Sequence, residues 1–286
     1  MKNLLYCVIL IVIFGCSSSD DPTGSSKDSF EYMYKNEKIT IDTWTAFKIE
    51  DGIIVTGSSS INEQSFTIQF NKYGNLNSAN SYPLGNFNIP LSISYEYYKS
   101  NFFNFELLNI DESNNRVSAV FSGNLYEDEH DLDSEKHFVE GAFNISYIDK
   151  EPNYPGLKVY AEIEGKDWYS VDSDSEGGFF SGSDIHLNQF SDDEYQITFI
   201  LNHDNTSTGN YAFDLNSQVN KVVLSKFDKD GLTVTEYETE GNFNLLEKNI
   251  GAAVTQLIGN YDLIAKKGNE IIRVTNGTFN TVYSNY

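Results

Sequence analysis

Apolar residues alternate with polar residues along most of this chain, and this period of two constrains the fold more than any other feature. Successive side chains of an extended strand point to opposite faces of a sheet, so the alternation places the apolar residues of a segment on one face. Five segments show the pattern: Phe66-Ile68-Phe70, Leu91-Ile93-Tyr95-Tyr97, Phe103-Phe105-Leu107, Leu157-Val159-Ala161-Ile163 and Tyr195-Ile197-Phe199-Leu201. We therefore predict an all-β protein built from half-buried antiparallel strands.

Turn sequences separate the predicted strands. Residues 71–74, 111–115 and 228–231 carry Gly or Asn where a tight turn needs a positive φ. Only residues 247–258 could be scored as a helix, because Ile250, Val254 and Ile258 recur at a spacing of four. Gly251 and the β-branched content weaken that interpretation, and the internal repeat described next favours a strand.

Matched residues in the two halves of the chain indicate a tandem duplication. Trp44 and Trp168 match at an offset of 124, and a second set of matches has an offset of 136. One additional loop of about 12 residues in the second copy would reconcile the offsets, since loop insertions cost little closure entropy. The other matched pairs are Gly85-Asn86 with Gly209-Asn210, Gly57-Ser58 with Gly182-Ser183, Gly123-Asn124 with Gly259-Asn260, Gly141-Ala142-Phe143-Asn144 with Gly277-Thr278-Phe279-Asn280, and Tyr147 with Tyr283.

We predict two tandem antiparallel domains, each a β-sandwich or a small barrel. The first covers residues 30–149 and the second, a repeat of the first, covers residues 157–286. Residues 150–156 between them are a linker by their Pro and Gly content. The recurring Gly-x-Phe-Asn is interpreted as a strand entry, with glycine at a bulge or turn, phenylalanine in the core and asparagine facing water.

The amino terminus carries a processing and anchoring signal. Lys2 precedes an apolar run over residues 4–14, about half of the roughly 20 residues that a helix needs to cross a bilayer. The sequence Ile13-Phe14-Gly15-Cys16 resembles a bacterial lipobox. This resemblance implies that residues 1–15 are a signal peptide, that the Cys16 thiol receives a diacylglyceryl group, and that its freed amine is acylated. Two or three acyl chains hold a protein stably at a membrane.

Residues 16–29 are predicted to be a lipidated flexible tether, because residues 17–29 contain no apolar side chain. A plain spacer accounts for this composition. Alternatively, Asp20 and Asp21 close to Cys16 resemble the export signal of Bacteroidota lipoproteins. With its Asn-, Tyr- and Phe-rich β-domains, the chain resembles a Bacteroidota cell-surface lipoprotein, which implies a location at the outer membrane, facing outward.

Charge and cysteine content restrict the partners and the chemistry. A formal net charge of −23 repels phosphate backbones and anionic lipid headgroups, so we expect no nucleic-acid partner and a membrane contact made through the lipid anchor alone. Acylation of Cys16 leaves the body without a free thiol. Thiol catalysis, thiolate metal sites and disulfides are therefore not expected in the body.

Two acidic segments are candidate metal sites, and a structural interpretation is favoured for both. Residues 127–137 (EDEHDLDSEKH) contain His130 and His137, but their spacing fits no zinc motif, and the repeat places them in a solvated hairpin loop. Residues 172–177 begin like a calcium loop, but Ser183 stands where a bidentate glutamate is required. We predict neither metal ligands nor a cofactor.

The sequence contains no recognised catalytic motif, neither a nucleophile elbow nor a phosphate loop nor a dinucleotide fingerprint. No catalytic residue is assigned, and we predict that the protein is not an enzyme. Two tryptophans and 19 tyrosines suggest carbohydrate binding, although both tryptophans are interpreted as core residues. The predicted function is a binding, adhesion or accessory module for a glycan or protein partner. A cell-surface hydrolase using paired carboxylates is the alternative.

Overall fold

The computed structural model describes residues 27–85, 91–177, 184–202 and 204–285. The predicted signal peptide, Cys16 and most of the tether lie outside these residues. Within them, the all-β prediction is confirmed: apart from a short 3-10 turn at Lys99–Asn101, the regular elements are strands.

The strands of the first half are β1 (Ser29–Tyr34), β2 (Glu37–Thr40), β3 (Thr43–Ile49), β4 (Gly52–Ser59), β5 (Gln64–Asn71), β6 (Leu76–Pro83), β7 (Ser92–Ser94), β8 (Phe103–Asp111), β9 (Arg116–Tyr126), β10 (Lys136–Ser146) and β11 (Ile148–Asp149). Those of the second half are β12 (Lys158–Ile163), β13 (Lys166–Tyr169), β14 (Asp172–Glu176), β15 (Asp184–Phe190), β16 (Tyr195–Asn202), β17 (Gly209–Phe213), β18 (Lys221–Phe227), β19 (Val234–Glu236), β20 (Glu238–Ile250), β21 (Val254–Lys267) and β22 (Glu270–Ser284).

Strands β1 to β11 form one curled sheet that resembles half a barrel. Its order is β11-β3-β4-β5-β6-β7-β9-β10-β1-β2, and β8 also pairs with β9. The pairs are antiparallel, except that the two-residue strand β11 runs parallel to β3.

Strands β12 to β22 form two sheets. The order of one is β13-β12-β22-β21-β20-β17, and that of the other is β14-β15-β16-β18-β19. Apolar side chains of both sheets meet in a single core that includes Trp168, Phe199, Phe243 and Phe279. The first half has a separate core that includes Phe66, Phe121 and Phe143.

The strand order of the first half recurs in the second. The run β8-β9-β10-β1-β2 corresponds to β20-β21-β22-β12-β13, and β3-β4-β5-β6-β7 corresponds to β14-β15-β16-β18-β19. The two Gly-x-Phe-Asn segments lie in the corresponding strands β10 and β22. Phe143 is opposite Phe30 of β1, and Phe279 is opposite Val159 of β12, at corresponding places in the two halves. This recurrence supports the proposal of a tandem duplication.

Trp44 and Trp168 do not occupy equivalent positions in the two halves, so this predicted match is wrong. Trp44 lies in β3, whereas Trp168 lies in β13, opposite Ala161. In the first half, Ile39 of β2 holds the corresponding place opposite Tyr32. Trp168 is nonetheless a core residue as predicted, at 1% exposure, and Trp44 packs half-buried against the first core.

The match of Gly85 with Gly209 does not support the repeat, and the match of Gly57-Ser58 with Gly182-Ser183 stays untested. Gly209 begins β17, which pairs with β20, whereas Gly85 follows the end of β6. Residues 182–183 lie outside the described part of the chain.

Candidate functional site

The turn between β15 and β16 forms hydrogen bonds that join the two halves. The Asp192 carboxylate accepts hydrogen bonds from the Asn75 side-chain amide at 2.9 Å and from the Leu76 N–H at 3.0 Å. The Ser100 N–H donates to the Asp192 carbonyl at 2.8 Å. Burial raises the pKa of Asp192, although the hydrogen bonds from Asn75 and Leu76 oppose the increase. The carboxyl group and the backbone carbonyl of Asp192 thus join two segments of the first half to the second.

Two tyrosines that the alternation assigned to a strand instead join the halves. Strand β7 ends at Ser94, and the chain then turns away. The Tyr95 O–H donates a 3.0 Å hydrogen bond to the Gly231 carbonyl, and the Tyr97 ring stacks on Phe227 at a centroid distance of 5.0 Å. These contacts join the two halves away from the cleft described next.

A cleft of about 480 Å³ opens between the halves. One side is the β3–β4 turn with Glu50 and Asp51, and the other is formed by β13 and the predicted linker. The volume is within the range of small-molecule sites, about 300–1,000 Å³. Ile54 and Val171 contribute apolar surface, and Tyr154 of the linker is 42% exposed at the cleft.

Tyrosine rings from both halves meet at one edge of the cleft. Tyr73 stacks on Tyr169 with the ring centroids 3.8 Å apart and the ring planes 4° apart. Tyr169 in turn contacts Tyr160 at a centroid distance of 5.1 Å. The ammonium group of Lys158 lies 4.7, 5.6 and 5.0 Å from the centroids of Tyr73, Tyr160 and Tyr169, within the range of cation–π attraction.

Hydrogen bonds orient this tyrosine edge. The Tyr73 O–H donates to Asp51 at 2.9 Å, and the Lys158 ammonium donates to the Tyr73 oxygen at 2.7 Å. Burial acts to raise the pKa of Asp51, but hydrogen bonds from Lys72 and Tyr73 and the nearby positive charges outweigh it, so this pKa lies below its usual value. A hydrogen bond to Asp167 raises the pKa of Tyr160, which keeps its hydroxyl protonated. The edge presents a fixed carboxylate, an ammonium group and hydroxyl groups beside aromatic surface.

The pKa of a carboxyl group limits the part that it can take in acid–base catalysis. A general acid–base pair needs one carboxyl group whose pKa is raised and one that stays ionised. Among the described residues, the carboxyl groups with a raised pKa are Glu96, Asp192 and Asp193, and they lie outside the cleft lining. Asp51 in the cleft is held ionised.

The sequence did not indicate the cleft residues. Tyr73 lies in a predicted turn and Tyr154 in the predicted linker, where an aromatic side chain has no strand face to cover. Aromatic side chains in a turn and in a linker were the signal that could have pointed to the cleft, because binding residues are often carried on loops.

The structure brings three side chains of the acidic segment 127–137 together. One potential ligand atom each from Glu127, Glu135 and His137 lies within 4.8 Å of the other two. Burial lowers the pKa of His137, the charge of Lys35 lowers it further, and both glutamates act in the opposite direction. The segment was predicted to be a solvated loop; both glutamates are exposed, but His137 is partly buried.

The other candidate histidines and acids do not converge in the same way. His130 is exposed in the same loop, His186 lies in β15, and His203 lies outside the described residues. Residues 172–176 form the edge strand β14, whose side chains alternate between two faces and do not converge as those of a calcium loop would. Ser183 lies outside the described residues.

We expect the stability of the protein to fall as the pH rises from about 4 to about 8. Burial raises the pKa of Asp193 from 3.8 to about 7, so the folded state binds a proton that the unfolded state releases near pH 4. The stabilisation is therefore complete below the unfolded-state pKa and is lost as the pH rises through the folded-state value. The whole pKa difference between the folded and unfolded states is equivalent to about 4 kcal/mol of stability. Because Asp193 is partly exposed, we expect the measured change in the free energy of unfolding to be about 1–2 kcal/mol.

Urea unfolding at several pH values measures this dependence. Asp193→Asn keeps an oxygen to accept the 2.9 Å hydrogen bond from the Tyr195 N–H, and it is expected to flatten the profile and stabilise the protein at pH 8. Asp214→Asn is the matched control, because Asp214 accepts the same type of hydrogen bond, from the Asn216 N–H at 2.9 Å, but is exposed. Equal effects of the two substitutions would contradict the assignment of this pH dependence to the Asp193 carboxyl group.

Comparisons with known proteins found no match from which a function could be inferred. No family model matches the chain, no curated protein is significantly similar to it, and no solved structure matches it significantly. Among the described residues, no helix has the length and apolar character needed to cross a bilayer.

Proposed function

We propose that this protein is a lipid-anchored, surface-exposed lipoprotein of the outer membrane whose body binds a glycan without chemical conversion. The cleft between the two halves is the proposed binding site. The observation that carries the proposal is the tyrosine-edged cleft, in which Tyr73 and Tyr169 come from different halves and Tyr154 remains accessible.

The lining of the cleft suits a sugar. A saccharide ring has an apolar face that packs on aromatic rings and hydroxyl groups that need fixed hydrogen-bond partners. Tyr154 offers the accessible ring, and Asn153 and Glu151 beside it on the linker are exposed polar groups. The Asp51 carboxylate and the Lys158 ammonium supply fixed charges of both signs.

The charge of the protein favours an uncharged ligand. A chain with a net charge of −23 repels polyanions such as uronic acid polymers and sulfated glycans. We therefore propose a neutral oligosaccharide or polysaccharide.

The anchor part of the proposal rests on the lipobox-like sequence that ends at Cys16. A triacylated cysteine followed by a polar tether would hold the body near the membrane surface while leaving the cleft accessible. Mass spectrometry of membrane-extracted protein tests it, since an unacylated Cys16 would refute the anchor.

Binding is tested on a glycan array and then by calorimetry with the strongest neutral ligand. Tyr154→Ala removes the accessible ring, and we expect affinity to fall about tenfold, equivalent to about 1.4 kcal/mol. Phe138→Ala is the control, because Phe138 is a 55% exposed aromatic residue outside the cleft. The proposal fails if no neutral glycan binds, or if both substitutions have the same effect.

A further inference from the structure

The hairpin of β9 and β10 brings three metal-binding groups onto one face. Tyr126 and Lys136 form the last rung of the ladder, and the Glu127 N–H donates to the Glu135 carbonyl at 2.9 Å, which extends the pairing by one residue. Glu127 and Glu135 are therefore opposite each other. His137 follows Glu135 by two positions, so both side chains lie on the same face.

The three ligand atoms lie near one another, with one pair at the spacing of an occupied metal site and the others farther apart. The His137 Nε2 and a Glu135 carboxylate oxygen are 3.5 Å apart, and the ligand atoms of all three residues lie within 4.8 Å of one another. Zinc bonds of about 2.0–2.2 Å place neighbouring ligand atoms roughly 3.4 Å apart in a tetrahedral site. Because both glutamates are exposed, their side chains can close the remaining distance without a change in the backbone.

Two features of this cluster favour the binding of a cation. The Nε2 of His137 is buried and makes no hydrogen bond with any described residue, although 12% of the side chain is exposed. Like charges placed directly opposite each other destabilise a strand pair, and Glu127 and Glu135 are such a pair. Residues 127–135 contain six carboxylates, which attract cations to the hairpin. A bound cation would occupy the free nitrogen and neutralise the facing carboxylates.

We propose that Glu127, Glu135 and His137 bind a first-row divalent transition-metal ion, with Zn²⁺ as the best match. Imidazole with carboxylates suits zinc and its neighbours, whereas calcium and magnesium take oxygen ligands. Three protein ligands leave a coordination position for water or a ligand group. The ion ties the acidic loop to the ends of β9 and β10.

The test is calorimetric titration of Zn²⁺ into the full chain, with Ca²⁺ titrated separately. We expect one saturable Zn²⁺ site and much weaker binding of Ca²⁺. Loss of a partner outside the ligand set already reduces metal affinity about 10- to 100-fold. Glu127→Gln and His137→Phe each remove a ligand and should therefore weaken Zn²⁺ binding by at least about tenfold. His130→Ala is the control, because His130 is the exposed histidine of the same loop.

A charge variant distinguishes metal binding from a structural role of the hairpin. The positive charge of Lys35 acts on His137 and opposes a cation there. Lys35 lies in a turn with φ 51°, which asparagine tolerates. Lys35→Asn should therefore tighten Zn²⁺ binding about threefold at low salt and less at high salt.

Three results would overturn the proposal. They are the absence of saturable Zn²⁺ binding, a loss of binding in His130→Ala in place of His137→Phe, and unchanged affinity in Glu127→Gln. Because Glu127 is exposed, Glu127→Gln is expected to fold normally, so the test stands even if His137→Phe does not fold.

Discussion

Replacing Phe279 with alanine is expected to lower the free energy of unfolding by about 4 kcal/mol. The ring is 2% exposed and lies 4.9 Å from Phe199, 5.4 Å from Phe243 and 6.3 Å from Tyr261, measured between centroids. Alanine would remove these contacts and leave a cavity that the surrounding strands cannot fill, because each is held by its ladder of hydrogen bonds.

Urea unfolding followed by tryptophan fluorescence measures this loss. Trp168 belongs to the second core and Trp44 packs against the first, so Trp44→Phe isolates the signal of the second half. Phe138→Ala is the matched control: the residue type is the same, but the ring is 55% exposed on β10. We expect the control to change stability by less than about 0.5 kcal/mol. A loss no larger in Phe279→Ala than in Phe138→Ala would show that the second core is misplaced.

The second large effect is expected for Gly277→Ala, with a loss of about 2–3 kcal/mol. An added Cβ would lie 2.5 Å from the Tyr261 carbonyl oxygen and 2.7 Å from the Tyr261 ring. The backbone oxygen is fixed in the β21–β22 ladder and cannot move aside. Gly141 has the same role in the first half, where a Cβ would lie 2.5 Å from the Tyr32 Cβ and 2.6 Å from the Phe121 ring.

Thermal and urea unfolding of Gly277→Ala and Gly141→Ala measure this steric effect. The control is Gly268→Asn, because Gly268 has a φ of 60°, which asparagine tolerates, and an added Cβ there would have no atom within 4 Å. We expect the control to remain near the stability of the unmodified protein. If Gly277→Ala is equally neutral, the close packing of Tyr261 over this glycine is incorrect.

These glycines refine the interpretation of the Gly-x-Phe-Asn repeat. The sequence suggested that the glycine supplies a bulge or a turn. Asn276, with a φ of 54°, is indeed adjacent to a register shift in the second half. In both halves, however, the glycine is required by space, because an aromatic ring from the neighbouring strand covers it. Its partner ring is distant in sequence, so the repeat alone could not show this reason.

Local features were predictable because they depend on neighbouring residues. The turns at residues 71–74, 111–115 and 228–231 were expected from their Gly and Asn content. Gly74, Asn115 and Gly231 have the positive φ values of 93°, 51° and 68°. The all-β class followed from the period of two, since apolar side chains on one face must be buried whichever strands pair.

Contacts across strands were not predictable, because they depend on register. Trp44 and Trp168 matched by spacing alone, yet their strands hold different places in the strand order. Glu127 and His137 fit no linear zinc motif because the hairpin, and not the spacing along one strand, brings them together.

By itself, the sequence determined the all-β class, the three predicted turns, the strongly acidic charge and the lipobox-like sequence that ends at Cys16, since all of these are encoded within a few residues of each other. Only the tertiary structure decided that Tyr73 contacts the second half, where the cleft opens and which acidic side chains lie next to each other. The physical reason is that a one-residue change in register moves every side chain of a strand to the opposite face. The docking of two separate cores also depends on a few buried polar contacts, such as those of Asp192.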